Sequence, residues 1–592
     1  MRLPVLKNNN KYNRRVVTFG GLNLMQSFSE GEMLDCSGIS HSSFPAITQR
    51  QKSERAFSCT MPTAVVFANK ECIVTDDGLY YDRKKVMELE KGRKQLAFLG
   101  NRAIVFPDKV YYDTKSGEGG SLSGECILKN VVVSFSTNTI TVPSANYETT
   151  TTLENSVFPV DAKLVTYTDV SVENEKIKLN GFSLKTAQEM SEGEIFFEKC
   201  EKNQYRVVIS KQLSENKKEY IIINELMTLK NTTQNIFTHF KVGDMVEISG
   251  CTAVRANNKS LRIVSKAANV LTFADSSFKE TTETADISIK RNIPDFTCIC
   301  SYKNRLWGCE GNTIYASALG DPFNFFLYEQ LSTDSFSVES NTAGDFTACS
   351  VYGSYCLFFK ENECYKLYGN RPSNFQLTEC FGGGIKKCDN LSIASVNGKL
   401  FYKGSGGVFA FYGGIPQCIS QKIATIPMEN AIAGSDGKCY YLTVDTPNGR
   451  EEYVYDDEKA LWSKSGIRDT LGYSFYQGEM HRLKEDGIYT ILSDTDNMNE
   501  WYALLCPFDE KYYKTKNYSR LYVTARLFED SYLRVEVSCD DSPWQCVSTV
   551  YGSEKKYVNI PCVLKGCHEV KIRLCGKGKS IIESVTREFC VN

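Results

Sequence analysis

The chain has 592 residues, of which 42% are hydrophobic and 24% are charged, and its formal net charge is −2. This balance is typical of a folded soluble protein of several domains, and it excludes a mainly disordered chain or a single small fold. The near-zero net charge gives no overall attraction for nucleic acid or anionic lipid. The apolar runs are far shorter than the ~20 residues that cross a bilayer, and the N-terminus lacks the apolar core of a signal peptide. We therefore expect a protein that is made and kept in a cytoplasm.

The chain is rich in residues that favour strands, with 33 Tyr and 33 Phe but only 4 His. Short alternating runs of β-branched and aromatic residues are separated by glycine-containing turns along most of its length, which predicts an all-β fold. Helical periodicity is confined to residues Arg83 to Gly92 and Leu184 to Glu192, and each stretch predicts a short helix.

A unit of strand, tight turn and strand recurs about seven times. The units are Asp76 to Asp82, Leu99 to Asp113, Lys303 to Ser317, Tyr352 to Gly369, Asn397 to Gly414, Ser435 to Ser465 and Gly478 to Ile491. One small sheet cannot bury both of its faces, whereas sheets stacked around an axis cover one another. The repeat therefore predicts a β-propeller, and the alternative is a β-sandwich or a string of meanders.

The repeat is interrupted between residues 127 and 290. Within that stretch, Phe240 to Phe278 has the short strands and tight turns of a small SH3-like or OB-like barrel. From Asn517 to Asn592 the pattern changes to clean alternation, which is typical of a sheet with one buried face. We therefore divide the chain into 1–60 (an N-terminal arm and first propeller strands), 61–126 (propeller blades), 127–290 (the inserted β domain with its barrel), 291–511 (propeller blades) and 512–592 (a C-terminal β-sandwich).

The 23 cysteines are scattered singly, without the doubled C-x-x-C pattern of a structural zinc site. Cys298, Cys300 and Cys309 are close enough in sequence to bind a soft metal. The alternative, which the pattern favours, is that the cysteines are reduced and serve as small hydrophobic residues on strands.

The common signatures of catalysis and nucleotide binding are absent, and His41, His239, His481 and His568 are far apart in sequence. We therefore predict no enzyme activity, no catalytic residue, no cofactor and no metal. Propeller glycosidases use paired carboxylates, and a chain with 71 acidic residues leaves such a pair open.

The segment from Tyr302 to Phe326 contains Arg305, Trp307 and the turn Gly320-Asp321-Pro322-Phe323-Asn324. It resembles a motif of tailed-bacteriophage virion proteins called stabilization proteins, which are similar to the tail nozzle, or tail tubular protein B, of short-tailed phages. Five further segments resemble the same group in the same order: Thr18 to Leu24, Ser42 to Arg50, Phe359 to Gly369, Gly398 to Ser420 and Ser519 to Ser538.

The motif residues have the character of structural residues. Proline at 322 sets a β-turn, and Phe323 and its neighbours supply apolar surface for packing. For Arg305 and Trp307 the alternatives are an exposed contact site and a packed strand, of which we favour the second.

The resemblance implies a structural component of a phage tail, assembled in the host cytoplasm and located in the virion. It implies a homohexameric ring that continues and gates the DNA channel below the portal and adaptor and opens for DNA ejection. The implied partners are further copies of the chain, the portal or adaptor, other tail proteins, and viral DNA that passes without sequence-specific binding. Two alternatives stay open: a carbohydrate-binding or carbohydrate-cleaving propeller for receptor recognition, and a cellular propeller scaffold.

Overall fold

The structure is a computed structural model, and it is built almost entirely from antiparallel strands. It describes residues 10–491 and 500–592, except 51–52, 69, 143–147, 153–162, 167–168, 174–175, 181–182, 186–194, 202–203, 210–220, 232–236, 275–280, 381–382, 477 and 553.

Seven four-stranded sheets form the blades of a propeller. In ring order, their strands are Pro62–Ala68, Lys70–Thr75, Gly78–Tyr81 and Lys84–Glu88 (blade 1); Gln95–Leu99, Arg102–Phe106, Val110–Asp113 and Gly119–Ser121 (blade 2); Cys298–Tyr302, Arg305–Glu310, Thr313–Ala316 and Phe336–Glu339 (blade 3); Ala348–Tyr352, Tyr355–Phe359, Cys364–Tyr368 and Gln376–Cys380 (blade 4); Ala394–Val396, Lys399–Gly404, Gly407–Phe411 and Gln417–Cys418 (blade 5); Glu429–Ser435, Cys439–Thr446, Gly449–Asp456 and Leu461–Lys464 (blade 6); and Gly472–Tyr476, Glu479–Lys484, Gly487–Thr490 and Arg55–Ser58 (blade 7). Each of the seven repeated sequence units lies on a different blade.

Neighbouring blades pack face to face around the ring. The second strand of a blade is therefore buried on both of its faces, as in the YCLFF strand of blade 4. Blades 4 and 5 meet through aromatic side chains, with the ring centroids of Phe359 and Tyr402 5.1 Å apart. Blades 6 and 7 are joined by a buried ion pair in which Arg482 donates two hydrogen bonds of 2.6 and 2.8 Å to Glu452.

Two contacts close the ring. The first strand of blade 7 lies beside the first strand of blade 1. The outer strand of blade 7, Arg55–Ser58, comes from the N-terminal side of the chain and pairs with Gly487–Thr490. The fold is thus a seven-bladed β-propeller with a barrel in a long insertion and a C-terminal sandwich, and the predicted fold class is confirmed.

The helix predicted at Arg83 to Gly92 is wrong. Asp82 and Arg83 have positive φ angles of 52° and 63° and form the tight turn between two strands, and Lys84–Glu88 is the outer strand of blade 1. Val86 and Met87 pack on the buried cluster between blades 1 and 2, so tertiary burial overrides a weak helical pattern. Of the second predicted helix, residues 184 and 185 belong to a strand and 186–192 lie outside the described residues.

The insertion between blades 2 and 3 contains a closed six-stranded barrel. In barrel order its strands are Gly124–Val142, Ile221–Asn231, Val270–Ala274, Ser260–Ala267, Met245–Ser249 and Thr281–Arg291. Its core includes Phe240, Ile248, Phe273 and Ile289. The same insertion holds a five-stranded sheet and a hairpin, formed in sheet order by Glu148–Thr152, Gln204–Ile209, Ile195–Glu201, Lys163–Thr166 and Ser183–Lys185, and by Asp169–Glu173 with Lys176–Asn180.

The chain divides into two compact units, of which the second comprises residues 120–294 and 315–337. The sequence division assigned 315–337 to the blades. The difference arises because side chains of that segment pack on the barrel, a contact that strand and turn patterns do not encode.

The C-terminal sandwich has two sheets. One comprises Ile39–Ser40, Ile47–Gln49, Ser580–Val591, Lys516–Leu527 and Lys555–Cys567, with Lys11–Val16 also paired to Ser580–Val591; the other comprises Met33–Ser37, Glu500–Leu505, Val570–Lys577, Tyr532–Cys539 and Gln545–Tyr551. Alternating residues such as Val570, Ile572 and Leu574 face its core. The same buried cluster includes Tyr440 and Trp462 of blade 6.

The sandwich takes more of the chain than the sequence division assigned to it. Four strands between residues 11 and 49 belong to it, so the one strand that the described residues of segment 1–60 supply to the propeller is Arg55–Ser58. The strand Glu500–Leu505, which was assigned to the blades, pairs with Val570–Lys577. Pairing between strands hundreds of residues apart depends on packing and leaves no local signal.

Cys539 and Cys567 form a disulfide within the sandwich, and Cys36, Cys298 and Cys349 are among the free thiols. The described 3-10 turns are Arg255–Asn257, Pro372–Asn374, Lys387–Asp389 and Gln421–Ile423. No helix in the described part of the chain has the length and apolar character of a membrane span.

Candidate functional site

The turn that carries the family resemblance is held together by its own side chains. The Asp321 carboxylate accepts hydrogen bonds from the Phe323 amide at 2.9 Å and from the Asn324 side chain at 2.6 Å. The Ala318 amide donates to the Asn324 carbonyl at 2.8 Å, which closes the loop. Gly320 has a φ of +70°, a conformation that glycine adopts without strain, and Pro322 is buried. The five residues therefore form a rigid turn.

Asn324 fastens this turn to the barrel. Its side chain is 3% exposed, accepts a hydrogen bond from the Met245 amide at 2.8 Å and donates one to the Gly243 carbonyl at 3.3 Å. These contacts satisfy backbone groups where a barrel strand begins. A buried amide that pairs with two backbone groups acts as a brace, because its loss leaves both groups unsatisfied.

Two cations lie close to the ring of Phe323. Lys241 Nζ is 4.6 Å and the Arg291 guanidinium 4.9 Å from the centroid of its ring. Arg291 also forms a buried ion pair with Asp244 and donates to the Leu122 carbonyl at 2.7 Å. Burial raises the pKa of Asp244 above its ordinary value of 3.8, although Arg291 acts in the opposite direction. The motif turn and this buried polar cluster make one connected structure.

Arg305 and Trp307 lie on the second strand of blade 3 and are 1% and 0% exposed. The indole N–H of Trp307 donates to the Tyr302 carbonyl at 3.1 Å, and its ring packs edge-on against Phe375 at 5.1 Å. The Arg305 guanidinium lies 5.8 Å from the centroid of the same Phe375 ring. Both side chains are thus inside the propeller, and neither offers an exposed contact site.

A cavity of about 300 Å³ occupies the centre of the propeller. It is lined by the first strands of six blades and by Ile393, which immediately precedes the first strand of blade 5. The residues that line it include Gln95, Asn390, Cys298 and Cys349. Among the described residues that line it, Arg93 alone carries a formal charge.

A second cavity, of about 540 Å³, lies between blade 6 and the sandwich. It is polar, with cationic, acidic and hydroxyl side chains that include Arg50, Asp436, Asp456 and Lys459. The Tyr441 ring in its lining is faced by the Arg50 guanidinium at 5.8 Å, and the Tyr441 hydroxyl donates to Asp436 at 2.9 Å. The ring face that a sugar would stack on is therefore already used within the protein.

His41 lies in the wall of this second cavity and is 3% exposed. Its Nε2 is 3.3 Å from the Gly20 carbonyl. Burial lowers the pKa of the His41 imidazole to about 4, so the ring is neutral at physiological pH.

Sequence reasoning missed part of one chemical cluster. Cys298, Cys300 and Cys309 were singled out and lie on the first two strands of blade 3, but Cys349 and Cys356 lie on the adjacent blade, and no spacing rule joins them to the first three. Within the described part of the chain, no group of three or more His, Cys, Asp or Glu side chains is placed to hold a metal ion.

No protein-family model and no curated protein sequence matches this chain. Among solved structures, it is similar to an exo-β-1,3-galactanase from Phanerochaete chrysosporium, with 8% identity, a TM-score of 0.18, and coverage of 61% of this chain and 78% of that one. It is also similar to PorZ, a surface component of the type-IX secretion system of Porphyromonas gingivalis, with 10% identity, a TM-score of 0.22, and coverage of 90% and 77%. An arabinoxylan arabinofuranohydrolase from Bacillus subtilis gives 8% identity, a TM-score of 0.16, and coverage of 62% and 77%. At these TM-scores the similarities say nothing about activity.

Proposed function

We propose that this chain is a nozzle-like structural component of a bacteriophage tail. Six copies form a ring that continues the DNA channel below the portal and adaptor and gates it until ejection. The observation that carries the proposal is the motif turn, because the residues that resemble the tail proteins are the ones that fasten residues 318–324 to the barrel.

The motif has the chemistry of a structural element. The Asp321 carboxylate and the Asn324 side-chain amide form hydrogen bonds with neighbouring groups of the same compact unit. Arg305 and Trp307 are equally enclosed in blade 3. Side chains engaged in this way stabilise a fold and are not free to act on a substrate.

The central cavity favours the tail component over a carbohydrate-cleaving propeller. Hydrolysis of a glycosidic bond generally uses two carboxyl groups that flank it. The described residues that line the cavity supply amide, hydroxyl, thiol and aliphatic groups with one guanidinium. That lining differs from a hydrolytic site.

The edge of the sandwich supplies a surface suited to assembly. Gln545–Tyr551 and Lys555–Cys567 are edge strands of the two sheets, and they expose Tyr551 (70%), Tyr557 (77%) and Val563 (76%). Edge strands with large apolar side chains pair readily with other chains. A closed ring needs two different complementary patches on each subunit, and we assign one of them to this edge.

A reconstruction of the intact virion tests the proposal. We expect six copies of the chain around the tail axis, below the portal. A single copy per particle, or a position on fibres away from the axis, would contradict the ring and favour receptor recognition.

A complementation experiment tests the edge surface. Tyr557→Asp places a charge on the edge strand and is expected to lower incorporation into particles at least tenfold. The matched control is Tyr412→Asp, which charges another exposed tyrosine, on blade 5, and is expected to assemble normally. Equal incorporation of both variants would remove the sandwich edge from the interface.

A further inference from the structure

Arg50 is a buried cation in the wall of the cavity between blade 6 and the sandwich, and the residue is 8% exposed. Its Nε donates to the Ile39 carbonyl at 3.2 Å, and its Nη2 donates to the hydroxyl of Ser463, which also lines the cavity, at 3.4 Å. The guanidinium carbon lies 5.8 Å from the ring centroid of Tyr441 in the same wall. A guanidinium has five N–H donors, so these two hydrogen bonds leave three for other oxygen atoms.

The charge of Arg50 is not neutralised by a carboxylate, because none of the described residues forms an ion pair with it. Three other buried arginines each pair with a carboxylate: Arg291 with Asp244, Arg482 with Glu452 and Arg587 with Glu510. Burial of a cation without a counter-charge is costly. Guanidinium groups bind planar or tetrahedral oxyanions through pairs of parallel hydrogen bonds, so an oxyanion in the cavity would supply the missing charge.

The carboxylates in the lining are engaged elsewhere or exposed. Asp436 accepts hydrogen bonds from the Tyr441 hydroxyl at 2.9 Å and from two backbone amides. Asp456 forms an ion pair of 2.6 Å with Lys459, and Glu458 is exposed. These groups therefore leave the donors of Arg50 available.

Two further lysines, Lys438 and Lys579, line the cavity and are exposed, and neither forms an ion pair with a described carboxylate. Their exposure shows that the cavity opens to solvent. The described lining holds four cationic side chains and three carboxylates, together with several hydroxyl groups. Its volume of about 540 Å³ lies within the roughly 300–1,000 Å³ of sites that take small organic ligands.

We propose that this cavity binds a phosphate group, either as the free ion or on a small ester, with Arg50 as the anchor. This inference is independent of the proposed tail function. The Arg50 guanidinium donates hydrogen bonds to the phosphate oxygens, and Lys438 and Lys579 add positive charge. Three cations without an acidic partner favour a dianion over the single charge of a carboxylate ligand.

The test measures the binding of inorganic phosphate to the purified full chain by isothermal titration calorimetry, at constant ionic strength and at about pH 8, where a phosphate group is mainly the dianion. Heats are measured in place of melting temperatures because phosphate also stabilises proteins by exclusion from their surfaces. We expect saturable binding at one site per chain, and binding of acetate at least tenfold weaker. Equal affinity for acetate would overturn the proposal.

Glycerol 3-phosphate and glycerol distinguish the two sources of the phosphate group. Tighter binding of glycerol 3-phosphate than of inorganic phosphate assigns the cavity to a small ester, and the reverse order assigns it to the free ion. Glycerol itself is expected not to bind. The proposal is overturned if neither phosphate compound binds saturably, or if glycerol binds as well as glycerol 3-phosphate.

Variants test the role of Arg50. Arg50→Gln removes the charge and is expected to weaken the binding of the phosphate compound about tenfold or more. The matched control is Lys514→Gln, which removes an exposed lysine outside the cavity lining and is expected to keep the affinity within about twofold. If Arg50→Gln does not fold, the exposed pair Lys438→Gln with Lys579→Gln takes its place and is expected to weaken binding about fivefold. Unchanged affinity in the folded variant would overturn the proposal.

Discussion

Asn324 stabilises the second compact unit through a single side chain. Asn324→Ala removes the partners of the Met245 amide and the Gly243 carbonyl, two backbone groups of half-buried residues where a barrel strand begins. We expect the free energy of unfolding to fall by about 1–3 kcal/mol and the Met245 amide to lose its protection from hydrogen exchange. The exposed Asn101 provides the control, since Asn101→Ala is expected to change stability by less than ~0.5 kcal/mol. An unchanged rate of hydrogen exchange at the Met245 amide would contradict the proposal that the Asn324 side chain stabilises this part of the barrel.

His41 makes stability depend on pH through its burial. Its pKa is about 4 in the folded protein and 6.5 ordinarily, so the unfolded chain binds more protons between these values. The free energy of unfolding must then decrease as the pH is lowered from 6.5 to 4, by about 3 kcal/mol for a group of this shift.

His41→Asn is expected to remove this contribution, so that the loss of stability from pH 6.5 to pH 4 becomes smaller than in the unsubstituted protein. Denaturant unfolding at both ends of that range measures the difference. Asn101 is exposed and does not titrate, and Asn101→Ala is expected to leave the pH dependence as it is. The same slope in both variants would show that His41 is not responsible.

At the scale of elements, the strand Arg55–Ser58 completes blade 7 by fitting closely against Gly487. A Cβ atom at Gly487 would lie 2.2 Å from the Phe57 carbonyl oxygen, and the φ of Gly487 is +152°. Gly487→Ala is therefore expected to push the closing strand away and to speed hydrogen exchange in residues 55–58. We expect Gly487→Ala to lower the free energy of unfolding by about 2 kcal/mol or more beyond the effect of a Gly→Ala substitution at a positive-φ position where the added Cβ meets no neighbour.

Gly478 offers the matched control in the same blade. Its φ is +80° and no atom lies within 4 Å of an added Cβ, so Gly478→Ala carries the backbone strain without the collision. We expect it to cost about 1 kcal/mol and to leave exchange in 55–58 unchanged. Equal effects of the two substitutions would mean that closure does not depend on the contact with Phe57.

At the scale of the whole molecule, the second compact unit is made of two chain segments, and both must be removed together. Phe323 and Phe325 are buried, and removing residues 122–294 alone takes away the barrel on which Phe323 and Asn324 pack. We expect that variant to bind a hydrophobic dye and to melt without cooperativity.

Replacing residues 317–335 as well, each segment by a short Gly-Ser linker, is expected to restore cooperative melting of the propeller and sandwich. The entropy of loop closure changes only weakly with length, so the linkers themselves cost little. Calorimetry of the two variants makes the comparison. Cooperative melting of the variant that lacks only 122–294 would show that the segment 315–337 does not need the barrel.

The sequence alone determined the fold class and the propeller. Turn residues and alternating apolar residues act over about ten positions, so each of the seven repeats, such as Gly478 to Ile491, could be recognised by itself. The alternation of Val570, Ile572 and Leu574 identified a sheet with one buried face for the same reason. Arg305, Trp307 and the turn at 320–324 were identified as structural residues, and the tail function that they suggest stays a prediction.

Only the tertiary structure decided which distant segments meet. The closing strand Arg55–Ser58 pairs with residues more than four hundred positions away, and the strands Cys298–Tyr302 and Ala348–Tyr352 meet because blades 3 and 4 pack side by side. The weak helical pattern at Arg83 to Gly92 gave way to a strand because burial of Val86 and Met87 between two blades outweighs local propensity. Strand pairing and side-chain burial depend on the surfaces that other parts of the chain present, and those surfaces exist only once the chain has folded.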